Sequence, residues 1–392
     1  SRWFGSFYIL LITAALVFIL GLAFSRFGRI RLGPDNSTPD FSTFAWTAML
    51  FAAGIGTEIL FFAVAEPVDQ YVHPPTGDAQ AIPPAARARE AIVLSLFHYG
   101  ISGWGLYALV GLAMAYFAYR RRDTLTLRST LRPLLGRHTE GVIGDIVDAA
   151  ALVGGVFGIA ASLGVGVVQL NVALNILFGL PQGFPTQIGL TALAVIMATV
   201  SAVSGVDRGV RVLSTINVLL AIGLALWVLV TGDAAFLIDA LIGSIGDFFT
   251  RFPQLTLETY AYNRPDDWLN AWTLFFWAWW IAWAAFVGMF LARISRGRTI
   301  RQFVLGSLLL PFCYILMWVA IFGNHALDLV IRGNGEFRDI TLERPEQGLY
   351  WILEHLPGQK ILIALALFVG ILFYVTSADS GALVMAKLSS RI

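Results

Sequence analysis

Four tryptophans, Trp277, Trp279, Trp280 and Trp283, stand within seven residues of one apolar run, AWTLFFWAWWIAWAAFVGMF (271–290). Indoles that mark a membrane interface sit at the ends of a span, whereas these fall in its middle. Clustered at that depth they suit an aromatic cage, whose ring faces hold quaternary ammonium groups that have no N–H to donate. Packing against lipid or other helices is the alternative. A second aromatic set lies in FHYGISGWGLYALVG (97–111). There Tyr99, Trp104 and Tyr107 fall within an arc of about 140° if the segment is one continuous helix. His98 has no partner at metal-ligand spacing and reads as a hydrogen-bonded packing residue.

Expensive polar groups accompany the rings. In FAAGIGTEILFFAVAEP (51–67), Glu58 has no Lys or Arg within its own apolar run. A carboxylate near a helix centre costs at least about 2.5–3.5 kcal/mol on insertion scales, so it demands a partner or a proton. Three or four desolvated cation–π faces supply about 6–8 kcal/mol gross, and micromolar binding needs about 8 kcal/mol net. Glu58 would make up that deficit for a ligand of net positive charge, whereas a zwitterion would bring its own carboxylate against it. Glu66, followed by Pro67, reads as a helix-end or loop anchor. Gly54-Ile55-Gly56 weakens helix by about 1 kcal/mol per glycine relative to alanine, and such breaks turn carbonyls toward ions or substrates. Close helix packing through Ala52, Ala53, Gly54 and Gly56 is the alternative. In FYVTSADSGALVMAK (373–387), Thr376, Ser377, Asp379 and Ser380 interrupt an apolar run. Consecutive hydroxyls beside freed carbonyls suit Na⁺, and back-bonding to the helix accounts for them equally well. Asp379 is open as a proton site, an anchor or the cap of an interrupted helix.

The elements that must hold these groups are membrane helices. Of 392 residues, 57% are apolar and 13% charged, against about 25% charged in soluble domains. That composition excludes a soluble globular enzyme. No nucleophile, base and oxyanion arrangement is visible, so no enzyme and no cofactor are expected. The net charge of +1 gives no reason to expect a nucleic-acid partner, and Cys313 has no partner for a disulfide. Nine candidate spans are read at 4–24, 45–65, 91–119, 146–179, 187–203, 212–231, 268–293, 300–322 and 359–388. The 146–179 run would be about 51 Å long as helix against a hydrocarbon core of about 30 Å, so it must tilt, bend or project. With the C-terminus counted and the N-terminal Arg2 left out, alternate connections carry 17 and 8 Lys plus Arg, which makes the richer set cytoplasmic and the N-terminus external. Arg120, Arg121, Arg122, Arg128, Arg132 and Arg137 dominate it and read as a topology signal that also contacts anionic membrane lipid. Residues 66–90 form a proline-rich external loop, and 234–250 an interfacial or subunit-packing helix.

The combination of GIGTEILFFAVAEP, HYGISGWGLYALVGLAMAYFAYR, FGIAASLGVGVVQLN, SAVSGVDRGVRVLS, WTLFFWAWWIAW, FVGMFLARISRGRTIRQFVLG and VTSADSGAL closely resembles the betaine/choline/carnitine transporters. It looks most like the bacterial choline carriers among them. The resemblance implies an all-α polytopic membrane protein of LeuT-type fold, with two inverted five-helix repeats and twelve membrane helices. The nine spans would be the second to the tenth, with the first helix and the last two outside this sequence. The whole of 1–392 is then one transmembrane domain. It divides into a first helix and cytoplasmic loop (1–44), a first inverted repeat (45–231), an external amphipathic helix and loop (232–267), and an incomplete second repeat (268–392).

Carried over from that resemblance, the aromatic box falls on Tyr99, Trp104, Tyr107 and Trp280, with Trp277, Trp279, Trp283 and Phe61 along the route toward the cytoplasm. Tyr99 replaces a frequent Trp. The principal sodium site falls on the carbonyls of Ala52, Ile55 and Phe373 and the hydroxyls of Thr376 and Ser377, while a second meets Gly155 and Ile159, which offer no hydroxyl. Ala285 stands where relatives usually carry Pro, which implies a less kinked helix. Glu58 occupies a position that resembles Gly in betaine carriers and an acidic residue in choline carriers, favouring choline. The expectation is a secondary active importer of choline in symport with protons, in the bacterial inner membrane, homotrimeric, and supplying an osmoprotectant precursor. Sodium-coupled betaine or carnitine transport is the alternative, and an ammonium-selective channel or osmotic sensor a further one.

Overall fold

The computed structural model describes residues 2–54, 56–204 and 207–389. Apart from one isolated bridge between Arg31 and Thr299, the regular structure among them is helical. The principal helices are α1 (Arg2–Phe24), α2 (Thr43–Gly54), α3 (Glu58–Val72), α4 (Pro84–Tyr99), α5 (Ile101–Ala115) and α6 (Val142–Phe178). They are followed by α7 (Phe184–Ser204), α8 (Asp207–Thr231), α9 (Ala234–Leu255), α10 (Thr273–Ile294), α11 (Ile300–Trp318) and α12 (Gln359–Ser389). Among the described residues, seven stretches are long and apolar enough to cross a bilayer: Trp3–Phe24, Pro84–Arg120, Val142–Phe178, Val212–Thr231, Asp266–Ile294, Ile300–Ile331 and Gln359–Ala378. In α7 the apolar part is the shorter Phe184–Met197.

Three segments differ from the expected spans. The 45–65 run is two helices, because α2 stops at Gly54 and α3 starts at Glu58. Gly56 lies in the gap, and a Cβ there would strike the Glu58 carboxylate. The 91–119 run is also interrupted, at Gly100, whose ψ of −137° is not helical. A side chain on Gly100 would meet the Leu96 carbonyl. Tyr99 therefore sits at the end of α4 while Trp104 and Tyr107 ride on α5, and the single-helix wheel does not apply. The long 146–179 run stays one helix of 37 residues, closed by Gly179 in the left-handed conformation at φ 70°.

Glu66 is not at a helix end. It is fully buried within α3, which continues through Pro67 to Val72. Proline removes the amide that would bond the Ala63 carbonyl; Gly323 packs there, where a Cβ would lie 2.9 Å from the Pro67 ring and 3.2 Å from that carbonyl oxygen.

The interior is built around α10, which packs on α5, α6 and α2, while α12 packs on α6, α8 and α2. Small residues set the spacing: Gly288 of α10 and Gly111 of α5 face each other so closely that a Cβ on Gly288 would be 3.0 Å from the Gly111 nitrogen. Amphipathic α9 starts at Asp233, whose carboxylate accepts from the Phe236 amide at 3.2 Å. It buries Leu237 and Phe248 and leaves Ile242 and Phe249 exposed. Arg89 of α4 holds it through Asp247, Nε to Oδ2 2.7 Å.

The arginine-rich face is internally paired. Arg120 donates to Asp35 Oδ1 at 2.6 Å, and this bond, helped by the guanidinium charge, holds the Asp35 carboxyl below its ordinary range. Arg128 binds Asp145 and Asp148, and Arg132 binds Asp123 and Glu140. Half of the six arginines are thus paired: Arg128 ties the loop to α6, Arg132 closes the loop on itself, and Arg120 holds the connection before α2. Nearby, the connection between α1 and α2 zips onto the Ser295–Thr299 turn: the Leu32 amide donates to the Arg298 carbonyl and the Gly297 amide to the Leu32 carbonyl, both at 2.8 Å. Arg298 is buried 4.0 Å over the Trp46 ring, and the Trp46 indole donates to Ser295 Oγ at 2.9 Å.

Candidate substrate cavity

Two helix interruptions and one continuous helix meet at the site. The 54–58 gap delivers Gly56 and Glu58, the Gly100 break delivers Tyr99 and, one and two turns later, Trp104 and Tyr107, and α10 supplies Phe276, Trp279, Trp280 and Trp283. Their side chains and Ser162 of α6 enclose a cavity of about 30 Å³, bordered by Gly56, Glu58, Tyr99, Tyr107, Ser162, Phe276, Trp279, Trp280 and Trp283. That is the room of about one water molecule, so a trimethylammonium head enters only when the rings part.

The four box residues come together. The Trp280 ring lies 4.8 Å from Tyr107, 5.9 Å from Tyr99 and 6.4 Å from Trp104, centroid to centroid, at interplanar angles of 56–76°. Trp104 stands edge-on to Tyr107 at 5.7 Å. All four are buried, and Trp104 backs the wall from outside the cavity lining. Steeply inclined rings form walls rather than a stack, which is the arrangement that presents faces to a central cation. Glycines make the walls possible. A Cβ on Gly103 would collide with the Trp280 ring, and one on Gly158 with Trp283.

Glu58 is buried at 4% exposure. No Lys or Arg pairs with it among the described residues. Ser162 lies beside it, yet its buried hydroxyl makes no hydrogen bond of normal geometry. A carboxylate so placed is a ready counter-ion for a ligand cation.

The other predicted positions separate. Trp277 turns away from the cavity, edge-on to Phe97 at 5.3 Å. Phe61 packs on Phe62 at 4.8 Å, outside the lining. Trp279 and Trp283 do border the cavity. In α12, Phe373, Thr376 and Ser377 are buried, and this helix packs on α2. The Thr376 hydroxyl donates back to the Leu372 carbonyl at 2.8 Å and the Phe373 carbonyl at 3.1 Å. The helix is continuous over 373–387, so Asp379 caps no interruption. Ile55 lies outside the described residues, as do the side chains of Ala52 and Asp379.

Phe276, Ser162 and Gly56 border the cavity without having been singled out as ligand contacts. Phe276 is one turn before Trp280 on the same helical face, a signal that i,i+4 spacing carries; Ser162, one hydroxyl in a long apolar helix, gave none. Behind the cage, His98 is buried between Glu66 (Nδ1 to Oε1, 2.6 Å) and Thr273 (Nε2 to Oγ1, 2.9 Å). Above it opens a cleft of about 740 Å³ bordered by Asp69, His73, Asp266, Asp267, Trp268 and Trp272. One aromatic layer divides cleft from cage: Trp272 stacks on Phe276 at 6.4 Å and 16°.

Fold and site together define a membrane-embedded helical bundle with an acidic, ring-walled cavity suited to an organic cation. The chain belongs to the betaine/carnitine/choline transporter family, whose profile matches residues 1–392. It is 52% identical over its whole length to the high-affinity choline transport protein of Escherichia coli K12. Identity is 48%, again over the whole chain, to the osmo-dependent choline transporter BetT2 of Acinetobacter baylyi. It is 40%, over 99% of the chain, to that organism's glycine betaine transporter. The chain spans 57–58% of the length of these relatives, and they are transporters rather than enzymes.

Proposed function

We propose that the protein is a secondary active transporter that imports choline by alternating access, in symport with protons, across the bacterial inner membrane. The observation that carries this reading is Glu58, a buried carboxylate with no basic partner among the described residues, facing Tyr99, Tyr107 and Trp280 across one cavity. The rings take the methylated ammonium head and the carboxylate balances its charge, which is what a net cation requires and a zwitterion does not. Two similar proteins carry choline in their names, which supports the same substrate class.

The cavity's size supports alternating access. A wide cleft lies on one side of the Trp272–Phe276 layer, and on the arginine-rich side the loop before α2 is zipped onto the 295–299 turn. Substrate can reach the cage from the cleft when the aromatic layer parts, and leave when the zipped side loosens. An inverted-repeat architecture, with the breaks in α2–α3 and at Gly100 bordering the site, accords with helices that pivot at their interruptions. Protons are favoured over sodium because Gly155 and Ile159 lack the hydroxyls that a second sodium site would use. A trimer assembled through α9 and a role in osmoprotection complete the proposal.

The test is choline uptake by the full-length protein in proteoliposomes under separately imposed proton and sodium gradients. Uphill accumulation driven by an inward proton gradient is expected. An inside-negative potential of 100 mV, worth about 2.3 kcal/mol per charge, should add about fiftyfold for each charge that enters. Accumulation driven by sodium alone would overturn the proton assignment, and equilibration without accumulation would overturn active transport.

A further inference from the structure

Residue 98 touches α10 at two points two turns apart. Its imidazole Nε2 meets Thr273 Oγ1, at the first residue of that helix, at 2.9 Å. Its carbonyl accepts the Trp280 indole N–H, also at 2.9 Å. Thr273 and Trp280 are i and i+7, on one face of α10. That carbonyl is free to accept because α4 ends one residue later, and the last carbonyls of a helix have no successor amide. On its other nitrogen, Nδ1, the imidazole meets Glu66 Oε1 at 2.6 Å. With Nδ1–H donating to the carboxylate, Nε2 is left to accept the Thr273 hydroxyl. Phe276, on the same face of α10 and bordering the cavity, lies parallel to the imidazole at 5.3 Å and 6°.

We propose that His98, oriented by Glu66 and latched to Thr273, is a positioning residue for substrate: it fixes the register of α4 against α10 and thereby the place of the Trp280 and Tyr99 rings. This rests on the cage reading of the cavity. Ring placement decides cation–π attraction, which needs the cation within about 6 Å of the ring centroid. Loosening the clamp leaves every cage residue in the chain but lets the indole drift, so substrate affinity falls while the transport cycle survives.

The experiment compares Thr273→Val, Glu66→Gln and His98→Gln with wild type in the full-length reconstituted protein. Thr273→Val is the mildest, removing one hydroxyl without changing shape. Each variant should raise the apparent choline KM about five- to tenfold with Vmax within about twofold, a loss of binding rather than of turnover. Thr273→Ser, which keeps the hydroxyl, should restore the wild-type KM. Tetramethylammonium titration of tryptophan fluorescence reads the cage without transport, and its midpoint should move by the same factor. A wild type that binds tetramethylammonium but accumulates no choline would contradict the transport reading, and this titration would still judge the clamp. Midpoints and KM within twofold of wild type in all three variants would overturn the inference, as would a fall in Vmax and thermal stability at constant KM.

Discussion

Glu58 faces rings, a serine hydroxyl and no basic side chain among the described residues, so its interaction with a ligand is the largest charge effect available in the cavity. Glu58→Gly should therefore weaken choline uptake far more than glycine betaine uptake. Competition assays with both solutes check this, and equal loss of both would remove the support for choline. Trp280 touches all three other box rings, and Trp280→Leu should raise the apparent choline KM at least about tenfold, as the loss of a contact worth about 2 kcal/mol implies. These residues were legible in the sequence because each is costly where it stands: indoles at mid-span, a carboxylate without a partner. Phe276 and Ser162 were not, since a phenylalanine or a lone serine in an apolar helix needs no special explanation. Glu66 was misplaced because Pro67 signals a helix end, whereas Gly323 packs beside the carbonyl that the proline leaves free.

Helix interruptions organise the elements, and the sequence signalled them unevenly. Gly54 and Gly56 marked the first break. The second, at Gly100, was concealed by a long apolar run; a Cβ there would strike the Leu96 carbonyl, so the break needs glycine. The ARISRGR motif likewise acquires its reason only in three dimensions. Gly297 has φ 83°, and a Cβ there would strike the Thr38 carbonyl, so the turn can zip onto the preceding loop only with glycine. Gly297→Ala should cost about 1–2 kcal/mol in backbone strain alone. It is expected to lower the apparent melting temperature of the purified protein; an unchanged transition would show that the zipped face contributes nothing to stability.

At the scale of the molecule, a cage of about 30 Å³ lies between an open cleft and a zipped, arginine-rich face. Composition made the membrane bundle evident, because no soluble core could bury so many aromatic residues, but the separation of cage from cleft by the single Trp272–Phe276 layer depends on side-chain packing that no periodicity encodes. The central claim is that this contracted cavity opens around a methylated cation. Determining the structure of the full-length protein with choline bound tests it most directly. The account predicts the trimethylammonium head within about 6 Å of the Tyr107 and Trp280 ring centroids, beside the Glu58 carboxylate, in a cavity grown to fit it. Choline held only in the outer cleft, with the rings still closed on one another and Glu58 turned away, would contradict it.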